Sequence, residues 1–226
     1  MDNVAVAAAA FVGSHFLLSH PLRAPIAARI GERGFLGIYS VVAFATLIWL
    51  ALAYRTAPTG PLLWPASDAI WVIASLVMLA ASVLLMGSLI RNPAMPEAKT
   101  DTVPVARGVF AITRHPMMWA FALWGVVHIL VYPERSNIIV AVAIITLALV
   151  GAAMQDRKKE ALQPEFWREW ERRTSYWPFA AIASGRAKLG GLGTHALIGG
   201  LVVWLFATWA HIPLSGWRAG IWHWIS

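Results

Sequence analysis

In the stretch AITRHPMMWAFALWGVVHIL, residues 111–130, a charged Arg114-His115-Pro116 turn runs straight into an apolar helix that carries a second histidine, His128, thirteen positions after the first. Proline is tolerated in the first turn of a helix, where its missing N–H would have no partner anyway. A histidine between Val127 and Ile129 is another matter. Ionisable side chains at membrane depth are costly, and they face a bundle interior or a bound group. The chain contains no cysteine, so histidine and methionine are its only nitrogen or soft-sulfur donors for a metal or a haem iron.

Working outward, the 226 residues are 59% hydrophobic and only 13% charged, too apolar for a soluble domain of this size. The expected fold is all-α, a polytopic transmembrane helix bundle forming one integral-membrane domain over residues 1–226. Crossing a bilayer takes about 20 apolar residues. Six stretches approach this length, at 4–19, 35–54, 69–90, 117–132, 138–154 and 195–210. The segments after the first, third and fifth carry 15 of the lysines and arginines, and the other side only Arg55, Arg135 and Arg218. By the positive-inside rule, six spans then place both termini outside the cytoplasm. The net charge of +7 is accounted for by those cytoplasmic loops facing anionic membrane lipids, and implies no nucleic-acid partner. The N-terminal stretch lacks a basic leader region and reads as a retained span.

Between the spans, residues 56–68 and 91–107 each hold three prolines and read as irregular, the second set being Pro93, Pro96 and Pro104. Residues 20–33 read as a short basic amphipathic piece after Pro21 and Pro25, and residues 108–113 as apolar enough to lie at the interface or lead into the fourth span. Residues 160–173 (EALQPEFWREWERR) have helical spacing of Phe166, Trp167 and Trp170 opposite an arginine-rich face, the pattern of a helix lying along the headgroups. Of thirteen tryptophans, most fall near span boundaries as an aromatic belt, while Trp49, Trp124 and Trp204 are deep enough to line a pocket for a flat apolar ligand.

Each histidine has a packing reading and a ligand reading. His15, in the first span, is either hydrogen-bonded to a neighbouring helix or a cofactor ligand. His20 reads as solvated at the boundary. Arg114 and His115 read as a helix cap, a headgroup contact or the cytoplasmic rim of a pocket. His128, with Trp124 one turn before it on the same face, is the leading ligand candidate. His195, His211 and His223 lie at boundaries or in the tail and read as snorkelling. Two histidines on different helices can hold haem in a bundle core. Pairing His15 with His128 leaves a depth offset of ~10 Å for tilt to absorb.

Several of these residues carry a resemblance: His15 with Pro21-Leu22-Arg23, then Ile30-Gly31-Glu32-Arg33-Gly34, Ile112-Thr113-Arg114-His115-Pro116 with Trp124 and His128, Arg173-Thr174-Ser175, Pro178-Phe179-Ala180-Ala181-Ile182 and Gly185-Arg186. Together they resemble the NnrU family and the related 15-cis-ζ-carotene isomerases. The resemblance implies a multi-pass protein of the bacterial inner (cytoplasmic) membrane, linked to nitrite and nitric oxide metabolism in denitrification. From the isomerases it implies haem b, with His15 and His128 as metal ligands; by their positions, Arg114 and His115 are expected at the mouth of the cofactor pocket and Trp124 along its wall. Nitric oxide or a hydrophobic small molecule is the implied substrate. The alternatives are a haem-dependent isomerase of a polyene lipid and a non-enzymatic assembly or regulatory factor. A second resemblance, of residues 114–117 and 160–178 to the C-terminal half of isoprenylcysteine carboxyl methyltransferases, departs from that pattern at Met118 and Trp119.

Overall fold

The computed structural model describes residues 2–95 and 102–225. Pro96 and Lys99, part of the proline and charge readings above, lie outside them. Nine α-helices are present among the described residues: α1 (Asp2–Ser19), α2 (Arg23–Thr56), α3 (Asp68–Gly87), α4 (Val109–Ile112), α5 (Pro116–Val131), α6 (Arg135–Leu162), α7 (Pro164–Arg173), α8 (Ala180–Ala183) and α9 (Thr194–Ser215), followed by a 3-10 turn at Gly220–His223. The fold is all-α, as the composition requires.

Four of these helices, α2, α3, α6 and α9, are long and apolar enough to cross a bilayer, and Asn3–Ser19 and Pro116–Val131 are shorter apolar helices. This makes the chain an integral membrane protein. Local signals set the boundaries. Ser67 caps α3 by accepting from the Ile70 amide. The Glu134 carboxylate accepts from the amides of Ser136 and Asn137 to start α6. Pro116 opens α5. In α2 the helical course breaks at Gly31, whose φ of 78° is a conformation glycine adopts without strain. The basic amphipathic piece before Gly31 is therefore a separate helical segment leading into the long apolar one.

The long helices stand in a row in the order α2, α1, α6, α5, α3, α9, each packed on its neighbours. Small residues permit the close approaches. A side chain at Gly125 would meet the Ala141 carbonyl, and one at Gly200 would meet the Val83 backbone. The edge helices show outward apolar faces, with Phe44 65% and Phe206 64% exposed, as lipid-facing surfaces do. Both described chain ends lie on the same side of the bundle, at one end of the helix axes. There Trp49 Nε1 donates to Asn3, the Gly60 amide donates to Glu134, and His223 stacks on Trp71.

At the opposite end the structure corrects two expectations. Helix α7 does not offer its aromatic face to lipid: Trp167 and Trp170 are fully buried against Leu84, Ala94 and Phe110. Its arginines point outward, so the amphipathic pattern is real but protein covers the apolar side. Residues 109–111, read as lying at the interface or leading into the fourth span, are likewise buried, with Val109 seated against Gly87 and α4 leading directly to α5.

Candidate functional site

At the end of the helix axes that holds the chain termini, the helices curl around a cavity of about 810 Å³. All six long helices contribute: Phe11 from α1, Leu50 and Tyr54 from α2, Met78 from α3, Trp124 and His128 from α5, Val140 from α6, and Trp204 and His211 from α9. The volume lies within the roughly 300–1,000 Å³ typical of small-molecule and cofactor sites. The walls are mostly apolar, with Arg55 and Glu134 among the lining residues.

His128 is held by its own helix. Its Nδ1 lies 2.8 Å from the Trp124 carbonyl, an acceptor only, so this nitrogen carries the proton and Nε2 is left with a lone pair. The Trp124 and His128 rings lie 4.0 Å apart. From α6, Asn137 donates to the carbonyls of His128 and Tyr132, fixing the end of α5 against α6. Across the cavity, His211 of α9 repeats the arrangement: Nδ1 donates to the Ala207 carbonyl at 2.7 Å. The two imidazole centroids are 6.0 Å apart. Trp204, Thr208 and His211, at spacings of four and three, share one face of α9 and all line the cavity. Trp204 is only 7% exposed, and its indole N–H has no acceptor among the described residues.

Of the deep tryptophans, Trp124 and Trp204 line the cavity, whereas Trp49 is 40% exposed and donates to Asn3. His15 has the same local bond, Nδ1 to the Phe11 carbonyl at 2.6 Å, but its ring meets Tyr39 of α2 at 5.7 Å. The structure does not bring His15 and His128 together. Phe16, beside His15, lies against Gly151 of α6, while His128 is bonded to Asn137 of the same helix. At 1.5 Å per residue those two levels are about 20 Å apart. His20 is not solvated as expected; its Nε2 is buried and Ser19 occupies Nδ1.

Arg114 and His115 form a different centre, away from the cavity. His115 does not cap α5. Its side chain is 1% exposed, and Nε2 bonds Asp156 Oδ1 at 2.7 Å. Arg114 donates from Nε and Nη2 to Asp156 Oδ2 at 2.8 and 2.6 Å and reaches Glu171 of α7 at 3.0 Å. Burial pushes the Glu171 carboxyl above its usual range, and the Arg114 charge opposes that shift. Thr113 and Trp119 both donate to the Tyr176 carbonyl, tying in the segment after α7. Arg186 donates to the carbonyls of Glu171, Arg172 and Thr174, closing the C-terminal end of α7. These contacts join α5, α6 and α7 as a buried tie, and neither Arg114 nor His115 lines the cavity described above. The same contacts link the two segments on which the methyltransferase resemblance rests.

The missed residue is His211. A signal for it was available in the spacing Trp204-x-x-x-Thr208-x-x-His211 on an apolar helix, which puts three hydrogen-bonding groups on one face. Its place at the boundary of the span read at 195–210 masked it.

No solved structure matches the chain. The chloroplastic 15-cis-zeta-carotene isomerase of Zea mays is 37% identical over 82 residues, which is 36% of this chain and 22% of that protein. The chain thus matches only about a fifth of the length of this curated relative. The sequence profile described as NnrU protein matches residues 3–219, nearly the whole length, and the chain belongs to the NnrU family.

Proposed function

We propose that the protein crosses a bacterial inner membrane six times with both termini outside the cytoplasm, and that it holds haem b in the cavity with His128 as an iron ligand. The observation that carries this reading is His128 itself: an imidazole with one nitrogen committed to the Trp124 carbonyl and the other spare, on the wall of a large apolar cavity. A ligating histidine characteristically donates its second nitrogen in this way, which fixes the tautomer and the ring orientation. Among the described residues no group of three or more histidine or acidic side chains could hold a bare metal ion. A macrocycle that brings four nitrogens of its own needs only one or two from the protein.

Bound there, haem b supplies a redox-active iron able to bind nitric oxide, which suits a role in nitrite and nitric oxide metabolism. The protein's own contribution is to exclude water with apolar walls, hold the His128 tautomer, and offer Arg55 as a cation for a carboxylate-bearing cofactor. A second reading, isomerisation of a polyene lipid, is favoured by the 82-residue match to the carotene isomerase and by a cavity larger than nitric oxide requires. The test is a pyridine haemochromogen assay on protein purified from haem-replete cells, followed by spectra of the reduced protein with and without nitric oxide. Stoichiometric haem and a nitric-oxide-dependent spectral shift are expected. A haem-free protein would leave a non-enzymatic assembly or regulatory factor as the better reading. Haem with no response to nitric oxide, together with conversion of a cis-polyene in detergent, would favour the isomerase.

A further inference from the structure

Two imidazoles can share one metal only if the fold lets them face each other. A metal–imidazole bond is about 2 Å, so two rings on opposite sides of one metal have centres roughly 6 Å apart. The separation between the levels of His15 and His128, about 20 Å along α6, is far beyond that reach. The geometry points to His211 of α9 as the second ligand, so that the cofactor is held between α5 and α9 and not between α1 and α5.

This inference rests on the haem reading and adds the residue that completes the site. The His128 and His211 ring centroids are 6.0 Å apart, close to the separation two ligands of one metal require. Each ring has Nδ1 donated to the carbonyl four residues before it, so each keeps Nε2 for a metal. Both residues line the same cavity. His15, by contrast, lies outside the lining, with its ring against Phe11 and Tyr39. Its neighbour on the lining is Phe11, which separates it from the cavity.

The assignment makes α9 the helix whose place depends on the cofactor. It stands at one edge of the row, packed on α3, and a ligand bond to α5 would bridge across α3 and fasten that edge.

The experiment compares wild type, His15→Ala, His128→Ala and His211→Ala, purified in detergent from haem-replete cells and checked for monodispersity. Haem content is read by the pyridine haemochromogen assay, and ligation by absorption and low-temperature electron paramagnetic resonance. Wild type and His15→Ala should share a low-spin, six-coordinate spectrum, and His128→Ala and His211→Ala should each lose it. His211→Met keeps a ligand and a similar volume, so it should fold, and Met/His ligation should raise the midpoint potential. A low-spin spectrum that survives His211→Ala, or a His211→Met potential equal to that of wild type, overturns this assignment alone. A low-spin spectrum lost in His15→Ala and kept in His211→Ala returns the site to α1. A haem-free wild type overturns both this assignment and the reading beneath it.

Discussion

Replacing Asp156 with asparagine should cost this protein much of its stability while leaving the cavity untouched. The carboxylate takes three short hydrogen bonds, two from Arg114 and one from His115, and the three side chains are 10%, 12% and 1% exposed. Removing one partner of a buried ion pair leaves the other charge uncompensated and costs about 3–5 kcal/mol. Asparagine keeps one acceptor oxygen and Glu171 remains 3.0 Å from Arg114, which places the expected loss near the lower end of that range. The cavity should not sense it. Asp156 and Asn137 lie on the same helix about 28 Å apart at 1.5 Å per residue. The assay is unfolding in detergent micelles followed by tryptophan fluorescence and far-ultraviolet circular dichroism, with the haem spectrum of the folded fraction recorded in parallel. Glu171→Gln is the control, and its partly exposed pair should cost no more than about 1 kcal/mol. An Asp156→Asn protein as stable as wild type would refute the tie, and a folded one in which the spectrum of the proposed haem is altered would refute the separation of the two centres.

Reporter fusions after Lys188 and at the C-terminus should report the cytoplasm and the outside respectively; a cytoplasmic C-terminus is incompatible with the proposed orientation. Trp170→Ala should lose about 3–5 kcal/mol in the same unfolding assay, because a fully buried indole leaves a large cavity; a helix lying on headgroups would lose far less. Gly200→Ala should lower stability by about 1–3 kcal/mol, the usual range for overpacking. The new methyl would sit 2.7 Å from Val83 Cα, and backbone cannot step aside as a side chain can. Melting temperatures in one detergent would check this, and an unchanged value would mean that α9 can move off α3 freely.

Hydropathy located the helices well because it reads a property each segment carries by itself. The stretch read at 117–132 is α5 at Pro116–Val131, and the stretch at 4–19 is α1 at Asp2–Ser19. Proline content marked residues 56–68 and the described part of 91–107 as irregular for the same local reason. What covers a face is not local. The aromatic stripe of α7 was visible, but only the fold shows Leu84 and Phe110 lying on it where lipid was expected. His115 was read as a cap or rim because its partner, Asp156, is 41 residues away and sits in a run of charges that looks solvated. His128 was legible as a buried imidazole from its neighbours alone. Its opposite number was not, since choosing among His15, His115 and His211 requires helix order and depth. Spacing alone put His15 and His128 ~10 Å apart in depth, and the packing of α1 and α5 on α6 makes the separation about twice that.

The separation of the charged tie from the cavity bears on how much change the protein can absorb. Most substitutions destabilise, and a chain survives them only while it stays above a threshold of stability. Here the contacts that set that threshold at one end, from Asp156 to the buried Trp167 and Trp170, share no residue with the walls of the cavity at the other. Lining residues that neither belong to the core cluster of Phe11 and Leu50 nor tie helices, as Glu134 and Asn137 do, can therefore be exchanged one at a time, with the locked end supplying the margin. A scaffold divided in this way is open to retargeting: reinforce the far end first, and variants at those positions can be screened for new ligands with stability to spare.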